Sequence, residues 1–570
     1  VETPRNQLSE PPTPVSASTG KTWYALGAIL IVGLVARVAW LESHVLIFNP
    51  DGAEYARSAE NLLRGAGFNG IWSRPEVIFP PLYPLLIAGA SLLTGNSEVA
   101  ARLVSVICGV LLIIPIFCLA RRLYGSRTAV IAAVVAGIHP MLIAISVTGF
   151  SESTYLLFFA WALYWSFESL WGRGWKAAAI AGMFWGLAYL ARPEAFLLCG
   201  VFVAILAAVD FLRRDHATAF WKPALCAALA FLFLAAPYVV FLRAKTGQFR
   251  LEGKSNFNYV VSRRVETGMD IVQAYYEIDR NLSVVGPGMD PVRFTTYSPY
   301  PKRTGELLRL ALRNIPAHLR NIEDFLLSIY AFGSPLLVIL ALIGLFRDAW
   351  TQDRFWKEMF CLATAGMLFA ILFAVEWFQI RFALPLFLIL LLWSAKGMNA
   401  LGEWTEQSWR NVRPSTAGLA GGIANLSRVM LILALAGLAF AGTIKDPPFS
   451  EENQSNLPQK EAGLWLKDYT HNQKDKDRVQ LLSSLGIVAF YAGGEYAPLP
   501  YSEGPTALKY LEKIAPDFVV LENSKRPYLR DWRLKGIPDQ RAELIHRTGG
   551  NPDTEVFVYA WHKAPVEGHP

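Results

Sequence analysis

Apolar residues gather in long runs along this chain, from Trp23 to Leu41 and then over about 98–120, 128–149, 153–171, 176–191, 195–212, 223–243, 325–346, 359–376, 382–395 and 427–444. Most approach the length of about 20 residues that a helix needs to cross a bilayer, so the pattern predicts about eleven membrane helices. The first run is too long for a signal-peptide core and stays as a span. Two long polar intervals break the series, 42–97 and 245–324. In the first, Pro80-Pro81-Leu82-Tyr83-Pro84 opens an apolar stretch of about a dozen residues, too short to span and suited to a helix lying in the interface. The second is polar with several aromatics, the composition of a loop that covers a cavity at the membrane surface. Beyond Lys445 the pattern is that of a soluble domain. There Val479–Ser483, Phe518–Leu521 and Glu555–Ala560 read as strands, and Glu461–Tyr469 and Thr506–Ile514 as helices. Residues 1–21, rich in Pro, Ser and Thr, read as a disordered tail. The expected architecture is a polytopic α-helical membrane domain over 22–445 and a small α/β domain over 446–570, without internal repeats.

Hydrophobic residues make up 53% of the 570 and charged ones 17%, with a mean hydropathy of +0.31, which excludes an ordinary soluble enzyme. A net charge of +7 would suit a nucleic-acid partner in a soluble protein, but in a membrane protein basic residues report topology loop by loop. They fall on alternate connections: Arg121, Arg122 and Arg127; Arg173 and Lys176; Arg213, Arg214 and Lys222; Arg347, Arg354 and Lys357; then Lys396, Arg410 and Arg413. The short connections between these sets carry only Arg192 and Arg381. The asymmetry predicts a cytoplasmic N-terminus and an extracytoplasmic C-terminal domain, with membrane lipids as surroundings and no nucleic acid. Cys108, Cys118, Cys199, Cys226 and Cys361 all lie in apolar runs without metal-ligand spacing, so neither a disulfide framework nor a metal cofactor is expected. The chain contains no GxxxxGK[ST], no HExxH and no dinucleotide fingerprint after a strand, which leaves nucleotide chemistry without machinery.

The polar residues that stand out cluster on the predicted outer face. Asp51 and Glu54 open a short amphipathic helix that ends at Gly65 and Gly67; their spacing is that of an N-cap and capping box, and a carboxylate at the mouth of an apolar cavity is also placed to accept a proton from a hydroxyl. Glu152 follows Ser151 at the entrance of a later span, where Ser151 or Ser153 would serve as helix start. In Ala191-Arg192-Pro193-Glu194 the proline divides two helices, and Arg192 and Glu194 can satisfy each other at the turn, as can Glu376 and Arg381. Arg37 near the end of the first span and His139 before Pro140 add two polar groups on an apolar background. Without ATP chemistry on that face, a transferred group must arrive already activated. A lipid-linked phosphosugar fits: its tail lies among helices, its phosphate meets arginines and its sugar projects towards the acids.

At these residues the chain resembles the C-type (GT-C) glycosyltransferases, in particular the bacterial ones of glycosyltransferase family 39 that are similar to protein O-mannosyltransferases and to the aminoarabinose transferase of lipid A. The resemblance rests on Asp51-Gly52-Ala53-Glu54-Tyr55-Ala56, Asn61-Leu62-Leu63-Arg64-Gly65, Pro80-Pro81-Leu82-Tyr83-Pro84, Ser151-Glu152, Ala191-Arg192-Pro193-Glu194 and Arg381-Phe382-Ala383-Leu384-Pro385, in order over about 20–400. It implies a multi-pass protein of the bacterial inner membrane with a periplasmic C-terminal domain. The implied reaction is inverting transfer of a sugar from a polyprenyl phosphate to a lipid, glycan or protein acceptor. Asp51 matches the family's first-loop catalytic aspartate and Glu152 its second-loop acid. Arg192 and Arg381, with Arg37, Arg263 and Arg264, are candidates for the donor phosphate; Glu54, Tyr55, Tyr83, His139 and Glu194 complete the candidate site. Gly52 stands where the mannosyltransferases carry a second acid, which argues against protein mannosylation and against a metal held by adjacent acids. The rivals are a transferase of whole glycans, a flippase or transporter, and a receptor acting through its C-terminal domain. Transporters place polar residues at the midplane of repeated halves, a pattern this chain lacks.

Overall fold

The computed structural model describes residues 19–43, 48–213, 221–284, 334–374, 379–445, 450–471 and 479–563, with Leu319 and Glu323 as isolated positions. Glu376, much of the predicted 325–346 run and the part of the second polar interval beyond 284 lie largely outside these residues. The membrane domain is built from α1 (Thr19–Ser43), α2 (Pro50–Leu63), α3 (Leu82–Thr94), α4 (Ser97–Leu111), α5 (Ile113–Tyr124), α6 (Ser126–Ile138), α7 (Pro140–Val147), α8 (Glu152–Glu168), α9 (Gly174–Ala191), α10 (Ala195–Arg213), α11 (Lys222–Thr246), α12 (Ser255–Glu266), α13 (Ile271–Tyr276), α14 (Ser334–Phe346), α15 (Gln352–Ala374), α16 (Leu384–Val412) and α17 (Ala420–Lys445).

This is a multi-pass membrane protein. Among the described residues, six helices are long and apolar enough to cross, or seven if α6 and α7 count as one broken span. The predicted run 128–149 is not one helix: it bends by 51° between α6 and α7. Pro140 supplies the reason, because it has no N–H for the helical ladder and its ring clashes with the preceding turn. His139 sits at the break, extended, with its ring 4.6 Å from that of Phe387. As expected, α3 is a short apolar helix, and Leu85, Leu92 and Leu93 on it are exposed.

The C-terminal domain opens with α18 (Ser450–His471) and continues with β1 (Gln480–Ser483), α19 (Ile487–Ala492), β2 (Glu495–Pro498), α20 (Gly504–Ile514), β3 (Phe518–Leu521), α21 (Leu529–Lys535), β4 (Ala542–Thr548) and β5 (Val556–Trp561). The sheet order is β2-β1-β3-β5-β4; β1 is parallel to β2 and β3, whereas β5 is antiparallel to β3 and β4. Alternate residues serve opposite faces, as the pleat demands. Leu481, Phe518, Val520, Val556 and Val558 pack towards α18, α19 and the membrane domain, while Leu482, Val519, Leu521, Phe557 and Tyr559 pack under α20 and α21.

The domain docks on the end of the helical bundle that carries α2 and α4. The Arg57 guanidinium donates to the carbonyls of Ala489 (3.0 Å) and Phe490 (3.2 Å), and the Tyr491 hydroxyl donates to Glu98 (3.0 Å), which also meets Lys460 at 3.2 Å. The second polar interval is tied to the same domain. The Tyr501 amide donates to the Tyr276 carbonyl at 2.7 Å, and Lys525 pairs with Asp270 at 3.0 Å.

Candidate active site

A cavity of about 890 Å³ opens where α2, the 69–80 loop, the α9–α10 turn, the 251–276 segment, the start of α16 and the C-terminal domain meet. Asp51, Glu54, Arg192, Glu194 and Arg381 line it, so five of the residues singled out in the sequence share one space.

Asp51 does not cap its helix. Asn49 does so, its Oδ1 accepting the Gly52 amide at 2.8 Å, with Pro50 supplying a preset φ in the first turn. Asp51 is therefore free for the cavity, where Oδ2 accepts from Arg381 Nη2 at 2.8 Å. Arg381 Nη1 also faces Glu152 at 3.5 Å, and its Nε donates to Gln379 at 2.6 Å. Glu152, at the mouth of α8, is bonded to Arg192, which in turn pairs with Glu194 at 2.5 Å. The result is a chain of alternating charge, Asp51, Arg381, Glu152, Arg192, Glu194, across one wall. Glu152 is 2% exposed, and its Oε2 has no hydrogen-bond partner among the described residues. Ser151 stands at the N-cap of α8 without capping it; its hydroxyl is engaged with Tyr55 at 3.1 Å.

Two cavity residues had no signature in the sequence. Lys254 lines the cavity and acts electrostatically on Asp51, with its ammonium 5.3 Å from the Phe79 ring. Burial lowers its affinity for a proton, and Asp51 works in the opposite sense. For Asp51 itself, burial opposes the charge, but Arg381, Lys254 and Arg192 outweigh it and hold the carboxyl below the usual aspartate value. Glu76 is the second addition. It faces Glu54, so the capping-box reading of Glu54 gives way to a different arrangement: Glu54 Oε1 accepts the Ile71 amide (2.9 Å), and Glu76 Oε1 accepts the amides of Ile78 (2.8 Å) and Phe79 (2.9 Å). Burial raises both carboxyls, and for Glu54 the charge of Glu76 adds to it. Gly70 is required where they meet, because a Cβ there would lie 1.6 Å from Glu54 Oε1 and 2.7 Å from Glu76 Oε2. The pair fastens the 69–80 loop to α2.

Arg37, Tyr55, Tyr83, His139 and Arg264 lie outside the cavity lining. Arg37 is fully buried in α1 and donates to the carbonyls of Gly33 (2.9 Å) and Gly137 (3.2 Å), holding α1 against α6. Tyr55 packs edge-on to Phe79 and Tyr83, and the Tyr83 hydroxyl donates to the Ala101 carbonyl at 3.0 Å; both back the wall. Arg264 on α12 donates to the Ala274 carbonyl at 3.0 Å and meets Glu277 at 3.6 Å, closing its own loop. Arg263 lies on the same helix. Among the described residues no group of three or more His, Cys, Asp or Glu is placed to hold a metal ion.

Residues 79–241 match the family model of dolichyl-phosphate-mannose-protein mannosyltransferases. ArnT from Cupriavidus metallidurans bound to undecaprenyl phosphate superposes with a TM-score of 0.55 at 13% identity, over 97% of this chain and 100% of that one. The archaeal oligosaccharyltransferase AglB from Archaeoglobus fulgidus, in complex with an inhibitory peptide and a dolichol-phosphate, superposes with a TM-score of 0.56 at 15% identity, over 89% of this chain and 70% of that one. No curated protein sequence matches the chain significantly. The fold is that of the GT-C superfamily. The fold is similar to that of ArnT, in line with the resemblance of the loop motifs.

Proposed function

We propose that the protein is an inverting glycosyltransferase that moves a sugar from a polyprenyl phosphate to a hydroxyl of a lipid, glycan or protein on the outer face of a bacterial inner membrane. The observation that carries this reading is Asp51, set between Arg381 and Lys254 in a cavity whose other flank, formed by Leu197, Leu368, Ile371 and Leu372, is apolar and continuous with the helices. The polyprenyl chain lies along that flank. Arg381, Arg192 and Lys254 meet the phosphate, and the sugar projects towards Asp51. The acceptor oxygen attacks the anomeric carbon while its proton passes to Asp51, and the bond to the phosphate oxygen breaks with its electron pair left on the phosphate. Phosphate is a good leaving group, so the site needs cations for the charge rather than an acid for the proton. In this reading those cations take the place of a bound metal. Glu152, buried behind the wall, holds Arg192 and Arg381 in place for the phosphate.

Arg381 has a double duty here. At rest it depresses the proton affinity of Asp51, and when it turns to the donor phosphate Asp51 becomes a better base, so base strength follows donor occupancy.

Mass spectrometry of glycolipids and glycoproteins from cells with and without the gene tests the function. One sugar-modified species disappears, together with accumulation of its polyprenyl phosphate donor; unchanged profiles would refute the reading. On purified protein, Arg381→Ala and Arg192→Ala each weaken undecaprenyl phosphate binding about tenfold or more, the scale of a lost charge-assisted contact, and Lys at either position restores part of it without the planar fork. Titration of the lipid by intrinsic fluorescence reads this out, and wild-type affinity in both Ala variants would make the arginines structural anchors only.

A further inference from the structure

One polar group in the cavity wall is used by neither the transfer step nor the row of ion pairs. Tyr155 lines the cavity from α8, three residues after Glu152, and so lies on the same face of the helix one turn further into the bundle. Its ring belongs to the apolar core of the membrane domain, 5.7 Å from that of Phe159. The residue is 2% exposed, and its hydroxyl has no hydrogen-bond partner among the described residues. A buried hydroxyl left in this state costs stability, and native structures rarely retain one without use. Packing alone would be served as well by phenylalanine, the residue that α8 carries at 159.

The cover over this phenol is part of the donor site. The Arg192 guanidinium lies over the Tyr155 ring at 5.9 Å and over the Phe382 ring at 5.3 Å, and Glu194 and Arg192 are the two charged residues that act on the phenol. Arg192 rests between Glu152 and Glu194, and in the reading above it turns from them to the donor phosphate. A phosphate that draws Arg192 to itself therefore arrives beside Tyr155 and uncovers it. Phe382, and Leu197 five residues after Arg192, continue the lining there as apolar surface. The phenol thus stands where the charged row gives way to the flank that takes the lipid chain.

We propose that Tyr155 is a donor-binding residue whose O–H donates to a phosphate oxygen of the polyprenyl phosphate, on the lipid side of Arg192. The proposal rests on the transferase reading and adds a ligand to its donor site. A neutral donor suits this depth, because another cation set in the apolar core would carry a desolvation cost that a phenol avoids. The phenol also leaves the balance of charge along the row unaltered, so it adds affinity for the phosphate without drawing anions into the resting cavity. Its directed O–H fixes the depth at which the phosphate stops. That depth sets the distance of the anomeric carbon from Asp51.

The test titrates the full-length protein in lipid nanodiscs with undecaprenyl phosphate and, in parallel, with undecaprenol, which has the same chain and no phosphate. Wild type binds the phosphate more tightly. Tyr155→Phe binds undecaprenyl phosphate about tenfold or more weakly, the scale of one lost hydrogen bond to a charged group, and binds undecaprenol as wild type does. Without lipid, Tyr155→Phe unfolds at the same temperature as wild type or higher, because it removes a buried hydroxyl that has no partner. A Tyr155→Phe protein with wild-type affinity for undecaprenyl phosphate, its preference over undecaprenol intact, overturns the proposal and leaves the transferase reading standing. Equal weakening for both lipids, or a lower unfolding temperature, gives the hydroxyl a structural role and overturns the proposal as well. Wild type that fails to prefer undecaprenyl phosphate over undecaprenol removes the transferase reading itself, and the proposal with it.

Discussion

Purified Asp51→Asn protein transfers sugar at least about a hundredfold more slowly than wild type, within the range of about 10² to 10⁴ that a positioned base contributes. It still folds and still binds the polyprenyl donor. The helix start is indifferent to the change, because the cap belongs to Asn49 and Pro50 and not to Asp51. Asn keeps the shape and a hydrogen bond to Arg381 but cannot take the acceptor's proton. The wild-type pH profile carries the same information. With its carboxyl held below the usual aspartate value in the donor-free enzyme, Asp51 keeps its charge as the solution is acidified, and the acid limb of kcat/KM for the donor falls below the ordinary aspartate range. The ion pair's contribution to stability is present above the unfolded-state value and is lost only as pH falls through the lowered folded one. Arg381→Ala moves the acid limb upward. Initial rates across pH on a hydroxyl acceptor measure both effects, and near-normal turnover in Asp51→Asn would sink the base assignment.

Gly253→Ala, which alters no charge, is the second change with a large effect. A Cβ at this position would lie 1.9 Å from the Val77 carbonyl oxygen and 2.8 Å from its carbon, so the backbone of one of two crossing loops must move. No side-chain rotation relieves a clash with main chain, and overpacking of this kind costs about 1–3 kcal/mol. The adjacent Lys254 moves with it, away from Asp51. A displacement of about 1 Å at a catalytic group is worth about a hundredfold in rate, so turnover falls by that order while the helical circular dichroism is kept. Lys254→Ala gives a loss of the same kind without the drop in thermal stability. A Gly253→Ala enzyme with unchanged turnover would show that the 251–254 segment does not position Lys254.

Asp51 and Lys254 mark the two ends of what the sequence discloses. Membrane helices were legible because a bilayer imposes length and apolarity on every span, and three short loops advertised Glu152, Arg192 and Arg381, as the start of the 42–97 interval did Asp51, as charges with no business in an apolar context. The break at Pro140 was visible as a residue, yet the apolar run continues across it, since composition carries no angle. Asn49 and Asp51 are both good caps, and only the backbone shows which one is used. Lys254 and Glu76 were hidden because each reaches the site by a crossing of distant segments, and Gly253 and Gly70, which permit those crossings, look like ordinary loop glycines. In the C-terminal domain, β1, β3 and β5 are covered on both faces and read as continuous apolar runs. By contrast, β2 is four residues of mixed character and β4 is an exposed edge, Ala542–Thr548, with Glu543, His546 and Arg547 along it.

The alternating charges across the cavity wall bear on selectivity. Three carboxylates, Asp51, Glu152 and Glu194, face two guanidiniums and the Lys254 ammonium, so this row of paired charges is close to electroneutral. An anion entering from water must part arginines from acids that already hold them, and gains little for doing so. Free phosphate and soluble sugar phosphates therefore compete poorly. A donor that brings a long hydrocarbon chain draws on a separate source of affinity, the burial of that chain along Leu197, Leu368 and Leu372, and with it can open the ion pairs. The polar wall thus acts as a filter that admits a phosphate only when it arrives attached to a lipid.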